Sequence, residues 1–406
     1  MSGRRAGLLL VSLVAAGCVR TTPNPPFTPI TAARPELIEQ VVFLLGDAGQ
    51  ALLDQSPLEA RLQQEVERWA GDLARPEAVS VLFLGDNAYP AGIRDAADPR
   101  RPLDSLYLRS QAELVGGPNA RRYRARGYFI AGNHDWGNMY GLDGLVRLRE
   151  QEKMLDGFAQ EGTRVDLFPE AGLPGPAVVD AGDNVRFVFL DTHWWLQADH
   201  DNVLRDTVFF NVNQILRGSG ERAVVFVSHH PLSSGGAHGG PVPIWRGFGI
   251  LWLLKKTGSL VQDLNSPVYR ELQGGLERLF KEIRRPLIYV GGHDHSLQVI
   301  EQTDPEKPQW TLVSGSGSKL TDVGPAAGMR FADDVPGFMQ LSFRRDGAVE
   351  LHVFAADAIW QHCGDDKGEE VAKCMAEGPA KYAEVYSSQL REPHALTTTT
   401  DSLAAR

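Results

Sequence analysis

The sequence predicts a layered α/β domain with mixed sheets. Three observations carry this. Seven short apolar runs, rich in Val, Ile, Leu and Phe, are continuous rather than alternating, which is the pattern of strands buried on both faces. Helix-like stretches separate several of them. Each run ends in a polar or glycine-rich loop, where domains of this kind bind their ligands.

The elements follow in order. "MSGRRAGLLLVSLVAAGC" has a two-arginine start, an apolar stretch and small residues before Cys18. That is a secretory signal pattern, too short to span a membrane. Its "AAGC" ending resembles a bacterial lipobox, so Cys18 is expected to become a lipidated first residue. Ala15 stands where Leu or Val is more usual, so an ordinary cleaved signal peptide is the alternative. Residues 19–35 are Pro/Thr-rich and read as a tether. A catalytic domain is expected over 36–356.

The strand runs are "VVFLLGDAG" (41–49), "VSVLFLGDNAY" (79–89), "GYFIAGNHD" (127–135), "VRFVFLDTH" (185–193), "AVVFVSHHP" (223–231), "PLIYVGGHDHS" (286–296) and "WTLVSGSGS" (310–318). A helix is predicted over 56–74, with Ser56 as N-cap before Pro57. Another is predicted over 271–285. Asp346-Gly347 joins two runs within 337–354, a hairpin signal that adds an antiparallel part. Residues 357–406 read as a C-terminal extension, and "HALTTTTDSLAAR" at its end has no packing pattern.

Composition narrows the function. Of 406 residues, 43% are hydrophobic, enough for a sizeable core, and the net charge of −10 comes with no basic run. A nucleic-acid partner is therefore not expected. Cys363 and Cys374, with ten residues between them, are expected to pair in an oxidising compartment, with two free thiols as the alternative. Neither has zinc-site spacing.

Polar residues cluster at the strand ends. They are Asp47, Asp86, Tyr89, Asn133, His134, His229, His293 and His295, with Asp294 between the last two. Singly, each has a bland reading as a turn or surface residue. Jointly, five strand ends carry oxygen or imidazole donors, a set that suits iron, zinc or manganese. On an extended segment His293 and His295, at i and i+2, would project the same way.

This arrangement resembles the dinuclear metallophosphoesterases, and among them most closely the purple acid phosphatases. The motifs stand here in order as "GDAG", "GDNAY", "GNHD", "VSHHP" and "GHDH". Relatives with two divalent ions usually carry a histidine where Gly49 stands, and they lack the tyrosine. "GDNAYPAGIRDAADPR", "SSGGAHGG", "GHDHSLQ" and "VSGSGS" further resemble the small, single-domain, tartrate-resistant type. The resemblance runs from about Val41 to about Ser318.

It implies an α/β/β/α metallophosphoesterase sandwich and an exported acid phosphatase acting on monoesters of small molecules or phosphoproteins. It implies a first site of Asp47, Asp86, Tyr89 and His295 holding Fe(III). A second site of Asp86, Asn133, His229 and His293 would hold divalent Fe, Zn or Mn. Asp86 is expected to bridge ions roughly 3.5–4 Å apart, which activate a bound water as the nucleophile. His134 and His238 are the expected catalytic acids toward the leaving oxygen, although His238 also reads as a plain loop histidine. His230 is expected to be a bystander.

Two departures stand out. The family's usual Trp after the first aspartate is Ala48, which would loosen the wall near Asp47. Residues 145–180 and 240–270 look extended, and "IWRGFGILWLLKK" in the second reads as a lid or a surface resting on the membrane, or equally well as an extra buried helix. The competing functions are a phosphodiesterase or nucleotidase of the same fold with two divalent ions, and a non-catalytic lipoprotein that binds phosphorylated ligands.

Overall fold

A computed structural model describes residues 28–51, 56–116, 125–137, 141–197, 202–239, 264, 266–356 and 381–394. The expected signal segment with Cys18, the cysteine pair Cys363 and Cys374, the chain end from 395, and most of 240–270 lie outside the described residues.

All seven apolar runs form strands. They become β1 (Ile38–Leu45), β2 (Val79–Phe83), β3 (Arg126–Phe129), β6 (Val185–Phe189), β7 (Ala223–Val227), β8 (Ile288–Gly291) and β10 (Trp310–Ser314). β4 (Val165–Leu167), β5 (Ala177–Ala181), β9 (Leu297–Glu301), β11 (Met329–Asp333), β12 (Gly337–Arg344), β13 (Val349–Ala356) and β14 (Tyr382–Arg391) complete two seven-stranded sheets. Their orders are β14-β13-β12-β1-β2-β3-β4 and β11-β9-β10-β8-β7-β6-β5. β1 to β4 run parallel, as do β6, β7, β8 and β10, while the remaining neighbours pair antiparallel. The sheets are therefore mixed, as expected.

Burial explains the continuous apolar runs. Val42 and Leu44 of β1 join Phe187, Val225 and Val290 in the core between the sheets. Val41, Phe43 and Leu45 face the other way, in a cluster with Leu58, Leu62 and Val66. Those three belong to α1 (Pro57–Asp72), whose Ser56 side chain accepts from Glu59 N at 3.2 Å, the predicted cap. Each fully buried side chain of this size contributes roughly 1.5–3 kcal/mol. On the second sheet, Tyr289 packs with Tyr269, Leu272 and Phe280 of the last described helix (Pro267–Glu282). That helix starts four residues before the predicted one, because Ser266 caps it and Pro267 opens it.

The C-terminal extension is partly structural. Residues 382–391 form β14, an edge strand on β13, so the sheet continues beyond 356. His352 of β13 helps to hold it. Its Nδ1 lies 3.2 Å from Glu384 and its Nε2 3.9 Å from Glu350, and the ring is only 5% exposed. Burial pulls His352 down, but Glu350 and Glu384 outweigh it and raise the imidazole to about 9. A raised folded value means the stabilisation is complete below the ordinary pKa of 6.5 and is lost as pH rises through about 9. Burial alone would raise Glu350 and Glu384, yet their partners hold both below the ordinary value of 4.5, so their share is lost in acid instead. His352→Gln should therefore lower Tm at pH 6 by the equivalent of up to about 3 kcal/mol. The difference from wild type should shrink toward pH 9.5. A pH-independent difference in calorimetric scans would remove the ion pair from this account.

Candidate metal centre

The site lies at the C-terminal ends of the parallel strands. β1 delivers Asp47, β2 delivers Asp86 and Tyr89, β3 Asn133 and His134, β7 His229, and β8 His293 and His295. Three of these, Asp47, Asp86 and His293, have φ of 57°, 57° and 67°. Left-handed backbone is costly for residues with a Cβ and concentrates at functional sites. Here it turns each strand end sharply inward. Residues 293–296 form a bend, not an extended segment. His293 and His295 consequently reach different partners within one cavity.

The donors separate into two quartets. In the first, Tyr89 Oη lies 3.1 Å from Asp47 Oδ1, 3.0 Å from Asp86 Oδ2 and 3.4 Å from His295 Nε2. In the second, Asn133 Oδ1 lies 3.0 Å from His229 Nε2 and 3.2 Å from His293 Nδ1, and those two nitrogens are 3.3 Å apart. Asp86 Oδ1 completes the second quartet, 3.5 Å from His229 Nε2. Asp86 therefore places one oxygen in each group.

The hydrogen-bond network holds these donors in place. His229 Nδ1–H donates to Leu84 O at 2.8 Å, which leaves the Nε2 lone pair facing Asn133. Asp47 Oδ2 accepts from His293 N at 2.9 Å, and Asp86 Oδ1 accepts from His134 N at 2.9 Å. Lone pairs thus converge in a buried space, an arrangement that a cation relieves. The donor chemistry, carboxylate with imidazole, amide oxygen and phenol, fits transition-metal ions. Asp47, Asp86 and His229 bring one ligand atom each within 4.8 Å of one another.

Electrostatics agree with that fit. Burial, then Asp47 and Asp86, push the Tyr89 phenol well above its ordinary value of 10. Only a strong added positive charge would remove that proton. Burial pulls His229 down, but Asp86 and Asp47 hold it above 6.5. Burial likewise pulls His295 down, and Asp47 outweighs it.

Gly49 explains why the tyrosine reaches the site. A Cβ there would meet Asp86 O at 2.5 Å and Ala88 N at 2.6 Å. No histidine side chain fits where relatives with divalent pairs carry one. Instead Gly49 N donates to Asp86 O and Gly49 O accepts from Tyr89 N, both at 3.0 Å, which curls the loop back onto Asp47.

The two expected acids lie at the rim. His134 Nδ1–H donates to Pro90 O, so Nε2 is the nitrogen that faces the site, 3.9 Å from Asp86 Oδ2. The His134 ring sits edge-on to Tyr89, with centroids 4.5 Å apart. The His238 ring lies 4.2 Å from that of His293, and its backbone N–H donates to Asp294 Oδ1 at 2.8 Å. Asp294 thereby positions the loop that carries His238.

Other residues support the donors from behind. His230 is a fully buried support behind His293, with rings 4.2 Å apart, and its Nδ1 lies 2.8 Å from Thr192 Oγ1. Burial keeps it neutral, well below the ordinary histidine value. The wall at Ala48 is not loose, because residues 315–318 close over it: Gly317 N donates to Gly46 O, and a Cβ at Gly317 would meet Ala48 Cβ at 2.9 Å. Asp135, present in "GNHD" but assigned no role, accepts from Asp86 N, Asn87 N, Asn87 Nδ2 and Gly132 N at 2.8–3.0 Å. It ties the second and third strand-end loops together. Burial and the Asp86 charge push it up to about 8. Its place in the motif was visible, but its burial was not.

Comparison with known proteins is consistent with this geometry. The calcineurin-like phosphoesterase family model matches residues 41–297. Purple acid phosphatase 17 of Arabidopsis thaliana is 24% identical over 281 residues, 66% of this chain and 69% of its own. Purple acid phosphatase 4 of the same plant is 24% identical over 276 residues, covering 65% and 67%. Among solved structures, GAP50, the anchor in the inner membrane complex of Plasmodium, aligns over 88% of this chain and 90% of its own with a TM-score of 0.53 at 14% identity, which shows a shared fold.

Proposed function

Because the chain belongs to the calcineurin-like phosphoesterase family, we propose that it is an acid phosphatase of the purple type, with one Fe(III) and one divalent Fe, Zn or Mn ion. The observation that carries this reading is the Tyr89 hydroxyl seated between Asp47 and Asp86, where Gly49 leaves no room for a histidine. Asp47, Asp86, Tyr89 and His295 would hold the iron. Asp86, Asn133, His229 and His293 would hold the divalent ion. When bound, the ions supply Lewis acidity toward the phosphoryl group. Asn133, being neutral, keeps the second quartet less anionic. In its doubly protonated form His134, oriented by the Nδ1–H bond to Pro90 O, gives its Nε2 proton to the departing alcohol oxygen and is left neutral. His238, placed by Asp294, faces the same rim. The small tartrate-resistant type, with its preference for monoesters, fits the motif run from Val41 to Ser318. Export and anchoring through Cys18 at the bacterial envelope rest on the N-terminal sequence alone.

The test is metal analysis combined with assays of a monoester and a diester across pH. The protein should contain iron with a second metal, show a visible charge-transfer band, and prefer the monoester. Tyr89→Phe should abolish the band while retaining at least one ion. A colourless, active protein with two divalent ions and diester preference would move the assignment to a phosphodiesterase or nucleotidase. A metal-loaded protein that binds phosphate but cleaves neither ester would leave only a binding role.

A further inference from the structure

Lys319 follows the last strand-end loop, outside every motif described above. Its ammonium lies 3.3 Å from the centroid of the Tyr89 ring. The same ring meets His134 at 4.5 Å, so Lys319 and His134 flank one aromatic side chain at the rim of the first quartet. Two hydrogen bonds fix the segment that carries it. Ser318 Oγ donates to Asp47 O at 2.5 Å, and Thr321 N donates to His295 O at 2.9 Å. The lysine is thus hung between the backbones of two residues of the first quartet, which limits the conformational freedom it would lose on binding a ligand. The small residue at 48 permits this, since residues 315–318 close directly over Ala48.

Among the described residues no carboxylate lies within ion-pair distance of Lys319. The nearby anions, Asp47 and Asp86, are the ones committed to metal under the proposed function. Beside a loaded centre this half-buried ammonium then has no anionic partner among the described residues. The anion that can satisfy it is the phosphoryl group of the ester, and a doubly charged monoester does so better than a singly charged diester.

Resting on that functional reading, we propose that Lys319 is a substrate-positioning cation that binds a phosphoryl oxygen and biases the site toward dianionic monoesters. In the metal-loaded protein, Lys319→Met should keep both ions and lower kcat/KM for a monoester by about ten- to a hundredfold. It should lower kcat/KM for a diester much less, and weaken competitive inhibition by inorganic phosphate to match. Lys319→Arg should recover most of the loss. Unchanged monoester kinetics and phosphate inhibition in Lys319→Met would overturn the proposal. Equal losses on both esters with unchanged phosphate inhibition would overturn it too, as would a displaced visible band with no change in phosphate affinity, since either shows the lysine acting on Tyr89 instead. If wild type cleaves neither ester, the phosphatase reading fails, and Lys319 is judged by calorimetry with phosphate alone. Weaker binding by Lys319→Met then supports it, and equal binding overturns it.

Discussion

Asp86→Ala is expected to lose the metal pair and, with it, turnover by about a thousandfold or more. Asp86 places Oδ2 3.0 Å from Tyr89 Oη in one quartet and Oδ1 3.5 Å from His229 Nε2 in the other. Alanine removes a donor from both at once. Three donors would remain in each quartet, with no carboxylate left in the second. The variant also loses the Oδ1 contact that receives His134 N, so the third strand-end loop is less firmly placed. Two readouts separate metal loss from misfolding. Near-ultraviolet circular dichroism should stay native, while the rise in Tm on metal addition expected of wild type should be absent. Full metal stoichiometry with normal activity in this variant would eliminate the bridging role.

His134→Ala is expected to retain both ions and lose about a hundred- to ten-thousandfold in kcat, the range typical of a lost general acid. The separation of effects follows from geometry. The contact between residue 134 and Asp86 Oδ1 comes from a backbone N–H, which alanine keeps. The imidazole instead reaches Pro90 O through Nδ1 and faces the site through Nε2. A substrate whose leaving group is already a stable anion, such as an activated aryl phosphate, should lose far less than an alkyl phosphate. Collapse of metal content, or an equal loss on both substrates, would show that His134 supports the centre and does not protonate the leaving oxygen.

The strands were readable because residues buried on both faces leave an unbroken apolar run, and Val41 to Leu45 show it. The caps were readable because Ser before Pro states a helix start, and the helix capped by Ser266 starts four residues before the one predicted over 271–285. β14 was hidden, because a half-buried edge strand with a polar sequence, "YAEVYSSQLR", carries no strong periodic signal. Most of the candidate site was legible as short motifs at strand ends. Asp135, Thr192 and Lys319 were not. A buried aspartate, a threonine behind a histidine and a lysine over a ring are ordinary residues until the chain folds around them.

By itself, then, the sequence determined which donor types stand at which strand ends, since local motifs set backbone turns and side-chain chemistry. Only the tertiary structure decided how those donors divide. The left-handed turns at Asp47, Asp86 and His293, and the collision that forbids any side chain at Gly49, depend on contacts between segments far apart in the chain. Distances between such segments come from packing, and a linear string of residues does not record them.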